Sequence, residues 1–161
     1  MNTLNEFGPL LGRVLIALIY LVSGSGKITG FKGTVGYIAS KDLPLPKIAA
    51  IGAIILELGG GTMLVISWNA RWAAVALFVF TAVAGPLSHN FWATPAAERS
   101  NQMNHFLKNV CIMGGLAYVL VHGSGPLSID GRHGAQGNNP GMFTSGLPSV
   151  TGRNRDSSLL L

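Results

Sequence analysis

Residues 48–67 read IAAIGAIILELGGGTMLVIS, twenty positions carrying one charge, Glu57. Twenty mainly apolar residues wound as a helix reach about 30 Å, the thickness of a bilayer's hydrocarbon. The run is entered through Leu43-Pro44-Leu45-Pro46 and closed by Trp68-Asn69, so it has the length and boundaries of one membrane span.

Three further runs flank it. One extends from Pro9 to about Thr29 and is interrupted by Arg13. Another extends from Trp72 to Ser88, with Pro86 near its end, where neighbouring helices satisfy the freed carbonyl in a membrane. The last extends from Phe106 to His122 and stops at Gly123-Ser124-Gly125-Pro126. The expected fold is all-α, an integral membrane four-helix bundle with helices at about 9–29, 48–67, 72–88 and 106–122 within residues 1–130. Residues 131–161 are rich in Gly, Asn, Ser and Pro, and are expected to be a disordered tail.

Composition agrees. Apolar residues make up 48% of the chain and charged ones 11%, with a mean hydropathy of +0.44, against roughly 25% charged in a soluble domain. Four spans consume about 80 positions, which leaves no room for a separate catalytic domain. Any chemistry belongs in or beside the bundle. The net charge of +5 comes from scattered basic residues, with no Lys/Arg run interleaved with aromatics, so no nucleic-acid face is expected. The single Cys111 excludes an internal disulfide and is expected in the core. Val14 to Val22 is short enough to imitate a secretory signal, but Glu6 replaces the basic start and further spans follow. The first run is therefore expected to be retained as a helix.

Four spans put both termini on one face of the membrane, side A, together with the tight Trp68–Arg71 connection. The long connections, about 30–47 and 89–105, fall on side B, which is the better place for a site. Arg13, Arg71 and Arg132 lie towards side A; Lys27, Lys32, Lys41, Lys47, Arg99 and Lys108 lie towards side B. The positive-inside rule favours a cytoplasmic side B. Setting Lys27 and Lys108 aside as bundle residues removes most of the difference and leaves the orientation undecided.

Glu57 lies about ten residues from either end of its run, roughly 15 Å deep, where a carboxylate costs about 2.5–3.5 kcal/mol on insertion scales. Such a group faces the bundle and has a partner, or stays protonated. Ala50, Ala53, Gly60 or Gly61, and Leu64 share its helical face, small enough for close helix approach. Arg13, Ile16, Tyr20, Ser23 and Lys27 form an inward stripe on the first helix, as do Ala74, Phe78, Ala82, Gly85 and His89 on the third. On the fourth, Asn104, Lys108, Cys111, Gly115, Tyr118 and His122 recur in the same way. Lys27, His89 and Lys108 gather at side B. Either lysine can snorkel to headgroups or turn inward towards Glu57, directly or across a water or His89. Trp68, Trp72 and Trp92 suit interfacial belts. Glycine spacing around Lys27 fits neither a phosphate loop nor a dinucleotide fingerprint, because Leu21 and Thr29 stand where glycines are required. The histidines lack metal-binding spacing, so no metal site is expected.

The ordered pieces GSGKITGF (24–31), LELGGG (56–61), HNFW (89–92), FLKN (106–109), Gly114-Gly115 and GPLSID (125–130) resemble the DoxX family of small bacterial membrane proteins. The likeness covers about residues 10–130. It implies a four-helix protein of a bacterial inner membrane, in a family associated with quinone-linked thiosulfate oxidation and with complexes that handle oxidative or thiol stress. By position it carries over Lys27, Glu57, His89, Trp92, Lys108 and Asn109. Glu57 and His89 would handle protons; Lys27, Trp92, Lys108 and Asn109 would hold the ligand. With no paired cysteines and no haem or iron–sulfur ligands, electron transfer would need an exchangeable carrier such as quinone, or partner redox-complex subunits. The leading expectation is a redox-complex membrane subunit with a polar pocket. The alternatives are a non-catalytic anchor or assembly partner, and a small-solute carrier, although no inverted repeat is visible.

Overall fold

In a bilayer, backbone polar groups must be satisfied within their own segment, and helix is the form open to a single apolar run. The computed structural model describes residues 3–125 and 127–129, and its elements are all helical: α1 (Thr3–Thr29), α2 (Phe31–Ala39), α3 (Pro46–Ile66), α4 (Ala70–Ser88), a 3₁₀ turn (Phe91–Ala93) and α5 (Ala96–His122). Four helical stretches are long and apolar enough to cross a membrane: Phe7–Thr29, Pro46–Ile66, Ala70–Ala93 and Ala96–His122. Large apolar side chains such as Leu15, Leu18, Ile51, Ile55, Val79 and Val121 point outward, where lipid would meet them. The expected disordered tail, 131–161, lies outside the described residues.

Leu45 takes a left-handed conformation and delivers Pro46 to the first turn of α3, where its missing N–H loses nothing. At the other end Ser67 is left-handed, and the Trp68 N–H closes back on the Met63 carbonyl at 3.1 Å. Asn69, also left-handed, starts α4 immediately. Both side-B connections are more structured than expected. Nine residues of the first form α2, too short and too rich in Gly to register as an apolar run. The second is shortened because α5 begins at Ala96, ten residues before Phe106. Ala96, Ala97, Glu98, Arg99, Gln102 and Met103 are good helix formers, but Glu98, Arg99, Ser100, Asn101, Gln102, Asn104 and His105 make these nearly three turns too polar for a hydropathy reading.

α1 packs on α3, α3 on α4 and α4 on α5, while α1 and α5 touch lightly. Glycines set the close approaches. A Cβ at Gly24 would lie 2.8 Å from Leu58, one at Gly60 2.9 Å from Leu77, and one at Gly115 2.8 Å from Ile16. The side-A half is filled by Ala17, Leu64, Ala73, Ala74, Leu77, Leu116 and Val119. Arg13, only 1% exposed, donates to Pro9 O at 3.2 Å and to Leu127 O at 2.9 Å, tying the segment after α5 to the start of α1.

Two expectations fail on α5. Cys111 is exposed, not buried. Its stripe does not face the bundle either, since Asn104, Lys108, Tyr118 and His122 are exposed as well. The inner face carries Asn109, Ile112, Leu116 and Val119 instead. The cause is packing: α5 leans on α4, which turns the face one residue further round inward. The polar stripe is left beside an open groove against Leu15, Ile16 and Ile19 of α1.

Candidate functional site

The packed side-A half ends at a hydrogen bond across the bundle. Tyr20 Oη lies 2.6 Å from Thr81 Oγ1, which itself donates to Leu77 O at 2.7 Å. A hydroxyl has one proton, so Tyr20 is the donor to Thr81. Towards side B from this floor lies a cavity of about 250 Å³, lined by Tyr20, Ser23 and Lys27 of α1, Glu57 of α3, Phe80, Thr81 and Gly85 of α4, His89, and Asn109 and Ile112 of α5.

Its polar wall is an ion pair. Lys27 Nζ stands 2.8 Å from both Glu57 Oε1 and Oε2, and 2.6 Å from Ser23 Oγ. Ser23 Oγ in turn donates to Glu57 Oε1 at 3.2 Å. The carboxylate thus accepts from two residues, and the ammonium donates to both Ser23 and the carboxylate. The Glu57 side chain is 5% exposed and the Lys27 side chain 26%, so the pair is more shielded on the Glu57 side than on the Lys27 side. Burial in low dielectric strengthens such a contact and penalises the loss of either partner. Gly24 allows this geometry by letting α1 come down on α3 one residue from Ser23.

Across the cavity, His89 Nδ1 lies 2.9 Å from Gln102 Oε1. Oε1 only accepts, so Nδ1 carries the proton and Nε2 of the neutral ring is left as an acceptor. The His105 ring stacks on His89 at 5.0 Å. Asn109 packs against Gly85, where a Cβ would meet its Nδ2 at 3.4 Å.

The structure therefore gathers Lys27, Glu57, His89 and Asn109 around one cavity. It places Lys108 in the α1–α5 groove. Trp92 is outward-facing and edge-on to Phe91 and Phe106. Lys27 reaches Glu57 directly, with no bridging His89. Tyr20, Ser23, Thr81, Gln102 and His105 were not singled out as site residues. Ser23 and Tyr20 stand four and seven residues before Lys27 on one helical face, a signal that was available. Thr81 and Gln102 had none, because their partners come from other helices. Among the described residues no three His, Cys, Asp or Glu side chains group as a metal site would need.

A helical bundle with four membrane-crossing segments and an ion pair on the wall of a cavity between them defines a multi-pass membrane protein with a candidate ligand site. Residues 8–90 match the DoxX family. The chain is 33% identical over 140 residues to the inner membrane protein YphA of Escherichia coli strain K12, covering 82% of this chain and 100% of that protein. It is also 33% identical over 133 residues to the inner membrane protein YqjF of the same strain, covering 81% and 95%. The chain belongs to the DoxX family. No solved structure matches it. Lys27, Glu57 and His89 fall inside the matched stretch, while Trp92, Lys108 and Asn109 lie beyond it.

Proposed function

We propose that this protein is an inner-membrane subunit of a redox complex, and that the cavity beside Lys27 and Glu57 takes the ring of a quinone. The observation that carries the reading is the ion pair itself, a nearly buried Glu57 side chain and a partly exposed Lys27 on the wall of one cavity. At about 250 Å³ the space is just under the roughly 300–1,000 Å³ of drug-sized ligand pockets and suits a single ring. The donor set fits a head group with carbonyl oxygens: an ammonium and the Asn109 amide can donate, while Phe80, Ala84 and Ile112 offer flat apolar surface. A quinone would supply the two-electron carrier absent from a chain with one cysteine, with electrons exchanged through partner subunits.

The protein's own part is proton handling and orientation. Lys27 Nζ already contacts Ser23 and both carboxylate oxygens, so it would join a ring oxygen to the same set of acceptors. Glu57, the carboxylate of the pair, is the group placed to receive a proton that a reduced ring releases. His89 Nε2, held in position by the Nδ1–Gln102 bond, supplies a second acceptor.

The test is Glu57→Gln, which keeps size and one acceptor but cannot ionise. In a strain lacking the endogenous protein, the variant is expected to reach the membrane at normal abundance and fail to complement an oxidative-stress or thiosulfate phenotype. Full complementation would end proton handling by Glu57 and leave the carboxylate as a strut between helices.

A further inference from the structure

A second cavity, about 310 Å³, adjoins the first. Lys27, Phe80, Ala84 and Ser88 line both. Beyond these shared residues the chemistry changes: the second chamber is walled largely by Ile38, Leu43, Ala49, Ala53, Val83 and Leu87, with no carboxylate. Its cover is α2, a helix with no buried residue. The side-chain hydrogen bond from α2 to α4 is long, Tyr37 Oη to Ser88 O at 3.4 Å. Lys41 Nζ lies 5.5 Å from the Tyr37 ring, a cation and an aromatic at the level where headgroups would lie. Val83 and Leu87, on the chamber's α4 wall, are themselves part of the exposed apolar surface.

We infer that the ligand is a membrane-resident amphiphile whose head lies against Lys27 and Glu57 and whose apolar tail occupies the chamber beneath α2, entering from the bilayer. The inference rests on the ligand-binding reading above and adds the class of ligand and its route. A water-soluble ligand has no use for an apolar annex of this size opening beside lipid-facing side chains. A tailed one cannot place its head at the ion pair unless its tail has somewhere to go. Hydrocarbon gains little by moving from lipid to an equally apolar wall, so the chamber adds little attraction of its own, and filling it weakens binding by leaving the tail no place when the head is seated.

Two substitutions fill the annex from opposite walls without touching the first cavity: Ala53→Phe on α3 and Val83→Trp on α4. Each is purified in nanodiscs beside wild type and titrated with a benzoquinone carrying a long isoprenoid chain and with the same ring bearing none, reading intrinsic fluorescence and melting. Wild type is expected to bind both. Each filled variant should keep the tail-less ring unchanged and bind the tailed one about tenfold or more weakly. If both fillers leave both ligands unaffected, or weaken both alike, the annex holds no tail and the proposal falls while ring binding stands. If wild type binds neither ring, the ligand-binding reading falls and takes this one with it.

Discussion

Glu57 and Lys27 are each conspicuous in the sequence as charges within or at the end of apolar runs. What the sequence left open was whether they meet, because Lys27 ends α1 while Glu57 lies mid-helix. The length of the lysine stem closes that gap, and Nζ arrives at 2.8 Å. Removing the lysine alone is worse than removing both, since the nearly buried Glu57 keeps its desolvation cost, whereas a lysine left alone can turn its ammonium towards headgroups. Lys27→Met is therefore expected to lower stability by about 3 kcal/mol, and the double variant Lys27→Met with Glu57→Gln to recover most of it. Thermal melting in detergent measures both. Equal stability of the two variants would mean that the pair contributes nothing as a pair. Lys108 was grouped with Lys27 because both are lysines near side B. One residue about α5, roughly 100°, separates Lys108 from the inward-facing Asn109, and hydropathy does not choose between the two faces because lipid and protein attract apolar side chains almost equally.

Among the helices, glycine position rather than glycine content decides packing. Gly59 and Gly60 are adjacent and indistinguishable by composition. A Cβ at Gly60 would press on Leu77 at 2.9 Å, whereas one at Gly59 meets nothing within 4 Å. Gly60→Ala is expected to destabilise by about 1–3 kcal/mol through overpacking. Gly59→Ala should be neutral or stabilise slightly through helix propensity. Melting the two variants side by side checks this, and a reversed order would show that α3 sits in a different register against α4. Cys111 gives an independent check on α5. Exposed beside the groove, it should tolerate enlargement: Cys111→Phe is expected to change melting stability by less than about 0.5 kcal/mol, whereas overpacking a core position costs about 1–3 kcal/mol.

For the molecule as a whole, four spans place the α3–α4 turn and the start of α5 on opposite faces of the membrane. A reporter fused after residue 69 and one fused after residue 97 are expected in different compartments; finding both in one would remove a span. The sequence by itself determined the number of spans, the membrane as solvent, the family and the carboxylate that had to be accommodated. Those follow from local quantities, namely run length, charge density and the cost of a lone charge in hydrocarbon. Only the tertiary structure decided that α5 leans on α4 and turns Asn109 inward in place of Lys108, that Thr81 and Gln102 join the site, and that α2 covers an apolar annex to the cavity. Apolar faces on a membrane helix attract lipid and protein almost equally. Which face is buried is therefore settled by how closely backbones fit at a few glycines, a property of helix pairs that no single helix encodes.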